Sequence, residues 1–480
     1  MDELSILVAR LGWPNTSTRW WVMLELAARL GEPTAKVNTE SVLLELLRSR
    51  KLEAEVIEIL CIFWIAVQGD GYSPDTSLSE NISRPSPLSD LLLENIGLSI
   101  QASNSGLKEV PESFEIPDDF DGVQGADLPR VFHTTMSNLE ALTQLPFLRQ
   151  MAFEWVENQA AYPDAPYQGD PWYFTRSLGD DFVGQYSARA AIRAISSYLR
   201  TLAVAQEIWG MPLELVNEKA LLAMPVHPSL AFLRPKRPSW FPEMTDFDGD
   251  EESIDSSLRS LLARVDVTCP SDELIAFHSP IVMSMERCVE VSMVRWSQSS
   301  GSLIDDAKLP AYLNDFWSRG TTFPSTYAEP LCTTTLLALP TFRKLVDENC
   351  KAWPLAGSLD FNRIGYLQHD LYPSRLFFPT LPDLDEAEIT PRDGGLEVKV
   401  GTQTVAELSY WNAGWGSARP RYLGGNCGTA LISNGEAYRE TVGIKDLSLR
   451  EFYLWQVRTL SRSGSYEKFS ESLVTGVLFI

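Results

Sequence analysis

Residues 4–30 read LSILVARLGWPNTSTRWWVMLELAARL, and residues 42–67 read VLLELLRSRKLEAEVIEILCIFWIAV. In both stretches apolar residues recur every three or four positions on each side of a short break, which is the pattern of paired amphipathic helices. The first pair is Leu4–Leu11 and Arg19–Leu30, and the second is Val42–Leu47 and Ala54–Val67. The chain is therefore predicted to begin with two consecutive helical hairpins.

The position of Arg19 adds to this pattern, because it falls near the start of the second helix of the first pair. In HEAT repeats a basic residue at this place commonly braces the turn, and residues 1–68 resemble HEAT-like helical repeats. They are similar to the HEAT-like arrays of bacterial multi-protein systems, including antiphage defence assemblies that pair such arrays with an NTPase or effector. The resemblance implies a scaffold that binds macromolecules. A plain pair of packed helical hairpins has the same periodicity and remains an alternative.

Composition and charge limit the classes of partner. A length of 480 residues predicts two to three domains, and 44% hydrophobic residues are sufficient for buried cores. The 64 acidic residues outnumber the 40 basic ones and give a formal net charge of -24. Such a charge repels phosphate and anionic lipid, so we expect neither direct nucleic-acid binding nor membrane binding. The expected partner is another protein, for example an NTPase or nuclease subunit.

The cysteines and the N-terminus indicate a cytoplasmic protein. The six cysteines are widely spaced and form no C-x-x-C pair, so we expect neither a disulfide framework nor a zinc site. The start Met1-Asp2-Glu3 is acidic and does not resemble a signal peptide. The longest apolar stretch, Ile57–Val67, is too short to cross a bilayer. Nothing in the sequence calls for a cofactor.

The rest of the chain divides by composition into three segments, and the predicted fold class is α+β. Residues 69–127 are polar and acidic, which favours a linker or long loop. Residues 128–265 are predicted to be mainly helical, with helices at Ser137–Ala161 and Ser187–Trp209 and an extended proline-rich path around Trp240. Residues 266–480 are predicted to form an α+β domain with antiparallel strands, a β-hairpin at 396–411 and an amphipathic helix at Leu447–Leu460.

One spacing fits an enzyme. Pro382-Asp383, thirteen residues, and then Glu397-Val398-Lys399 match the loose pattern of the PD-(D/E)xK nucleases, and this resemblance implies a metal held by Asp383 and Glu397 with Lys399 beside the attacking water. Residues two apart on a strand share a face, so Glu397 and Lys399 can act together. The alternative is the exposed face of an ordinary half-buried hairpin.

A glycine-rich segment near residues 411–428 carries the candidate binding residues. It lacks the G-x-x-x-x-G-K-[ST] and G-x-G-x-x-G patterns of phosphate loops. Tryptophan, arginine and tyrosine are the residue types that dominate protein interfaces. The candidate partner-binding residues are Trp411, Trp415, Arg419, Arg421 and Tyr422. A loop that fills the core has the same composition, and this alternative also stays open.

Other chemistries find little support. The acidic run Asp246–Glu252 has its glycine at the wrong position for a calcium loop, and the four histidines occur without a nucleophile motif. The sequence therefore favours a non-catalytic protein-binding or scaffold subunit of a bacterial multi-protein system, with the metal-dependent nuclease as the alternative.

Overall fold

The computed structural model describes the following residues: 3–12, 16–69, 72–99, 106–118, 120, 131–161, 188–232, 237–241, 251–282, 286–301, 303–313, 336–337, 352–359, 365, 378–381, 387–392, 395–412, 427–441, 444, 447–464 and 467–480. The chain divides into two compact units. The first contains Met1–His227 with Thr333–Leu336 and Phe361–Leu371, and the second contains the remaining residues. The first is built from helices and the second around an antiparallel sheet, which confirms the α+β class.

The first unit contains ten described α-helices. They are α1 Glu3–Arg10, α2 Thr16–Gly31, α3 Lys36–Ser49, α4 Glu53–Gln68, α5 Ser77–Glu80, α6 Pro87–Asn95, α7 Val131–Thr143, α8 Phe147–Ala161, α9 Ala188–Glu207 and α10 Leu213–Ala220. Helices α1 to α4 correspond to the four segments predicted from the opening sequence. The N-terminal region is thus a set of packed helices, in which α2 contacts α1, α3 and α4.

Helix α4 lies at the centre of this unit. It packs against α2, α3, α6 and α9, and every residue from Val56 to Ala66 is buried. A helix that is apolar on all sides is stable only when other helices surround it. The run of residues 56–66, apolar except for Glu58, explains why α4, and not its neighbours, occupies this position.

The described part of residues 69–127 also packs against the helices. Helix α6 begins with a capping box between Ser86 and Ser89 and buries six of its nine residues. Further along, the backbone N–H of Val110 donates to the side chain of Gln150 on α8 at 2.7 Å. The two compact units divide near residue 228. The divisions predicted from the sequence at 68, 127 and 265 stay a prediction.

One helix prediction and one prediction of an extended path differ from the structure. The single helix expected at Ser137–Ala161 is two helices, α7 and α8, because Gln144 has a φ of 62° and Pro146 follows it. The extended path expected around Trp240, from Pro225 to Pro242, contains a fully buried 3₁₀ turn at Pro228–Phe232. A second 3₁₀ turn, at Leu221–Ala223, comes directly before this path. Of the helices in the described part of the chain, none is long and apolar enough to cross a bilayer.

The second unit contains a nine-stranded antiparallel sheet with the order β11-β10-β2-β1-β9-β8-β7-β6, in which β3 also pairs with β2. Its strands are β1 Asp272–Val282, β2 Arg287–Ser299, β3 Ala352–Pro354, β6 Ala387–Arg392, β7 Gly395–Val400, β8 Gln403–Asn412, β9 Cys427–Asn434, β10 Leu449–Ser461 and β11 Ser470–Phe479. The short strands β4 Gly357–Leu359 and β5 Phe378–Thr380 form a separate pair. Two α-helices, α11 Glu251–Thr268 and α12 Gly435–Thr441, and a 3₁₀ turn at Asp306–Lys308 complete the described elements.

The hairpin predicted at residues 396–411 is confirmed as β7 and β8, with Gly401 at a φ of 61° in the turn. The helix predicted at Leu447–Leu460 is wrong, because this segment is strand β10. Strand β10 pairs with β2 on one side and β11 on the other, and Phe452 through Trp455 are buried on both faces of the sheet. A strand buried on both faces has a continuous apolar run, which periodicity cannot distinguish from a buried helix.

The core of this unit lies between α11 and one face of the sheet. Ile254, Leu258, Leu261 and Val265 form the apolar stripe of α11. They belong to one buried cluster with alternate residues of β2 and β10, including Val289, Val291, Met293, Tyr453, Trp455 and Val457. The apolar face of α11, formed by residues three or four apart, therefore packs against strand residues two apart in a single core layer.

Candidate functional site

The β7–β8 hairpin brings two residues of the predicted nuclease pattern together. Glu397 and Lys399 lie two apart on β7, and the Lys399 Nζ atom is 3.1 Å from Glu397 Oε2. Arg392, on the neighbouring strand β6, donates from its guanidinium to Glu397 Oε1 at 2.8 Å. Both carboxylate oxygens of Glu397 are thus paired with cations.

The pairing determines the protonation of Glu397. Burial of the carboxyl group acts to raise its pKa, but the hydrogen bonds from Lys399 and Arg392 outweigh burial and hold the pKa below its usual value. Glu407, opposite Glu397 on β8, behaves differently: burial raises its pKa, and the nearby charge of Glu397 acts in the same direction. The hairpin therefore presents one firmly ionised carboxylate that two cations neutralise.

A metal site would need further ligands. Asp383, the other carboxylate of the pattern, lies outside the described residues. Within the described part of the chain, no group of three or more histidine, cysteine, aspartate or glutamate side chains is placed to hold a metal ion. What the described residues offer at this hairpin is a surface ion-pair cluster.

Of the five predicted partner-binding residues, the structure describes only Trp411. Its side chain is fully buried, in the cluster beneath α11, with its ring centroid 4.7 Å from that of Phe241. Trp411 therefore packs in the core and presents no side-chain surface to a partner. Trp415, Arg419, Arg421 and Tyr422 lie outside the described residues.

Trp21, in the second helix of the first predicted helical pair, is an exposed aromatic residue of the helical unit. Trp21 on α2 is 43% exposed, whereas the adjacent Trp20 is buried. Ile6 on α1 and Val37 on α3, the two helices that pack against α2, are also exposed. Exposed aromatic and aliphatic side chains on a rigid base are typical of protein-binding surfaces.

The base beneath Trp21 contains a buried ion pair. Arg19, two residues before Trp21, pairs with Glu58 on α4, and both side chains are nearly inaccessible to solvent. The pair joins the first helical hairpin to the second. The residues of the predicted turn, Trp13 to Asn15, lie outside the described residues, so the bracing role expected for Arg19 at that turn stays a prediction.

Sequence reasoning missed a second buried charge network in the same unit. Glu53, at the start of α4, accepts through Oε1 from Arg84 at 3.0 Å and from Arg200 on α9 at 3.3 Å. Arg200 also donates to Glu154 on α8 at 2.7 Å, and Glu154 accepts from Gln150 at 3.0 Å. The available sequence signal was the position of Glu53 at the edge of an apolar run, where a charged side chain needs a partner. Its partners are up to 147 residues away in sequence, so spacing could not identify them.

The sheet contains a comparable network, also missed. Arg295 on β2 bonds to Glu451 on β10 at 2.7 Å and to Glu273 on β1 at 3.0 Å. Arg439 on α12 pairs with the same two glutamates. Two arginines and two glutamates thus form a closed ring that fixes α12 against three strands. We assign this ring a structural role, since each of its charged groups is paired with two groups of opposite charge.

His278, one of the four histidines, is part of the sheet. His278 on β1 lies beside β2, with its Nδ1 atom 2.7 Å from Ser292 Oγ, and both residues are buried.

Comparison of the sequence with protein-family models and with curated proteins gives no match.

Proposed function

We propose that this chain is a non-catalytic protein-binding or scaffold subunit of a bacterial multi-protein system. The observation that carries the proposal is the exposure of Trp21 on α2 above a helical base held by the buried Arg19–Glu58 pair. Tryptophan contributes large binding energies when a partner covers it, and a rigid base lowers the entropic cost of binding. The HEAT-like resemblance of residues 1–68 supports the same role and suggests antiphage defence as one setting.

The proposed partner is another cytoplasmic protein, such as an NTPase or nuclease subunit. A net charge of -24 favours a partner with a basic surface, because opposite potentials accelerate association and suppress wrong partners. The segment with Trp415, Arg419, Arg421 and Tyr422 is a second proposed contact region, on composition alone. Trp415→Ala with Arg421→Ala should then weaken binding by about 2 kcal/mol or more.

The test is affinity purification of the tagged chain from its own host, followed by reconstitution with the recovered partner. Trp21→Ser should weaken the reconstituted complex at least about tenfold, equivalent to roughly 1.4 kcal/mol. Leu142→Ser is the matched control, since Leu142 is more exposed than Trp21 and lies elsewhere in the helical unit. Equal affinity of the wild type and Trp21→Ser would remove Trp21 from the interface and with it the main support for the proposal.

The alternative is a metal-dependent nuclease. The contact between Glu397 and Lys399 favours it, because that mechanism needs both side chains on one strand face. The purified wild type should be incubated with duplex DNA and Mg²⁺ or Mn²⁺. Two variants should be assayed in the same way: the single variant Glu397→Gln and the double variant that combines Asp383→Ala with Glu397→Ala. Cleavage by the wild type that both variants lose would replace the scaffold by the nuclease. The scaffold proposal expects no cleavage and full partner binding by the folded double variant.

A further inference from the structure

The two edges of the nine-stranded sheet differ in how they are protected. Strand β6, at one edge, has six residues and carries Pro391 with the charged Glu388 and Arg392. Proline and charge on an edge strand are the usual means of preventing further strand pairing. This edge is therefore closed to addition of another strand.

Strand β11, at the other edge, lacks these protections. It pairs with β10 through ten consecutive residues without a bulge and has no partner on its outer side among the strands that the structure describes. It contains no proline and no lysine, and Glu471 is its one charged residue. Leu473 is 47% exposed. A long, regular and mostly uncharged edge is a template for pairing with a further strand.

The sequence of β11 is complementary to itself in the antiparallel direction. When two copies are related by a two-fold axis at Thr475, perpendicular to the sheet, Leu473 of one lies opposite Val477 of the other. Thr475 then lies opposite Thr475. Residues 473, 475 and 477 share one face of the strand, so these three pairs form on the same side of the joined sheet. Cross-strand pairs of aliphatic residues and of threonines are stabilising.

The charges at the ends of this pairing are neutralised within each copy. The same register places Glu471 of one copy opposite Phe479 of the other. The guanidinium carbon of Arg450 lies 3.8 Å above the ring centroid of Phe479. Each Glu471, paired within its own chain with Arg458, would therefore lie near the Arg450 of the second copy, which is paired with Asp306. Both ends of the contact, related by the two-fold axis, then join ion pairs instead of unpaired charges of like sign.

From these observations we propose that a second copy of this chain binds at the β11 edge, so that two sheets join into one across a two-fold axis at Thr475. The proposal concerns self-association and does not depend on the proposed scaffold function. Each copy carries a formal charge of -24, so long-range repulsion opposes the contact. The dimer should therefore strengthen as salt screens this repulsion.

The first experiment is sedimentation equilibrium of the full chain over roughly 1–100 μM protein, the range in which small interfaces associate. We expect a mass approaching twice 53.7 kDa, with tighter association at higher salt. Leu473→Lys should abolish the dimer, and the matched Leu303→Lys, at another exposed leucine of the same unit, should not. A wild type that stays monomeric, or a Leu473→Lys protein that still dimerises, would overturn the proposal.

A second experiment tests the register without loss of folding. Thr475→Cys places two thiols opposite each other across the axis, within disulfide distance, and mild oxidation should give a covalent dimer. Leu473→Cys is the control, because its two copies would lie about 13 Å apart along the strands, beyond the reach of a disulfide. The wild type, with its six native cysteines, sets the background level. Cross-linking of Leu473→Cys above that level, or no cross-linking of Thr475→Cys above it, would contradict a two-fold axis at Thr475.

Discussion

The indole ring of Trp455 lies across Gly476, its partner on the neighbouring strand β11. A Cβ atom added to Gly476 would lie 2.2 Å from Cζ2 of Trp455. Trp411 and Gly428 repeat the arrangement between β8 and β9, where an added Cβ would lie 2.4 Å from Cζ2. At both places the glycine makes room for a buried indole, which a side chain on the neighbouring strand would displace.

Gly476→Ala is therefore expected to lower the free energy of unfolding by about 1–3 kcal/mol, the usual cost of overpacking. Chemical denaturation followed by tryptophan fluorescence measures it. Gly464→Ala is the matched control, because an added Cβ there meets no atom within 4 Å. Equal stability of the two variants would show that Trp455 can move aside at little cost.

Arg19→Ala should destabilise the helical unit by about 3–5 kcal/mol, because it breaks the buried ion pair with Glu58. Glu58→Ala combined with Arg19→Ala should cost less than the sum of the single changes. Arg29→Ala, which removes pairs to the exposed Glu3 and to Glu25, is the control and should cost under about 1 kcal/mol. Thermal unfolding by far-ultraviolet circular dichroism compares the wild type with Arg19→Ala, Glu58→Ala, the double variant and Arg29→Ala. Additive losses would contradict the coupling.

Asp90→Asn should stabilise the helical unit at neutral pH. Burial, together with the charges of Glu207 and Glu94, raises the pKa of Asp90 from 3.8 to about 6. A carboxyl group with a raised pKa stabilises the folded state below its unfolded pKa, and this contribution is lost as the pH rises through 6. The variant should gain about 1–2 kcal/mol at pH 8 relative to pH 4, and denaturant titrations at both pH values measure the difference. A gain that does not change with pH would contradict the prediction.

Glu451→Gln should show the opposite pH dependence. Burial acts to raise the pKa of Glu451, but the hydrogen bond from Arg439 and the charges of Arg295 and Arg439 outweigh it and lower the pKa from 4.5. A lowered carboxyl pKa stabilises the folded state above the unfolded pKa, and this is lost as the pH falls through the folded pKa. The variant should lose about 3 kcal/mol at pH 7 and less in acid.

The control for this variant is Glu388→Gln, at an exposed position on the edge strand β6. It should lie within about 0.5 kcal/mol of the wild type at both pH values. A loss for Glu451→Gln that is the same at pH 7 and in acid would show that the ring of two arginines and two glutamates contributes packing alone.

The local sequence pattern was enough to predict those elements that have one apolar face and one polar face. The four N-terminal helices and the β7–β8 hairpin were predictable because apolar residues recur at their own periods of 3.6 and 2. Strand β10 was not, because Phe452 to Trp455 are buried on both faces and read as a continuous apolar run. The break between α7 and α8 combines Pro146, which the sequence shows, with the φ of 62° at Gln144, a residue that gives little signal by itself.

The candidate site divides in the same way. The neighbouring positions of Glu397 and Lys399 on one strand face followed from their spacing, because side chains two apart on a strand share a face. The burial of Trp411 did not follow from the sequence, since a tryptophan beside glycines is equally compatible with an interface and with a core. Its burial depends on Phe241 and Gly428, which come from other parts of the chain.

The sequence by itself determined the fold class, the paired helices at the N-terminus, the hairpin and the acidic charge, all of which depend on composition or on neighbours within a few residues. Only the tertiary structure decided which charges pair, as in Glu53 with Arg200 and Arg295 with Glu451, and which sheet edge has no outer neighbour among the described strands. These features join residues far apart in the chain. Their partners are selected by packing and by the cost of burying an unpaired charge, and neither is visible in local sequence.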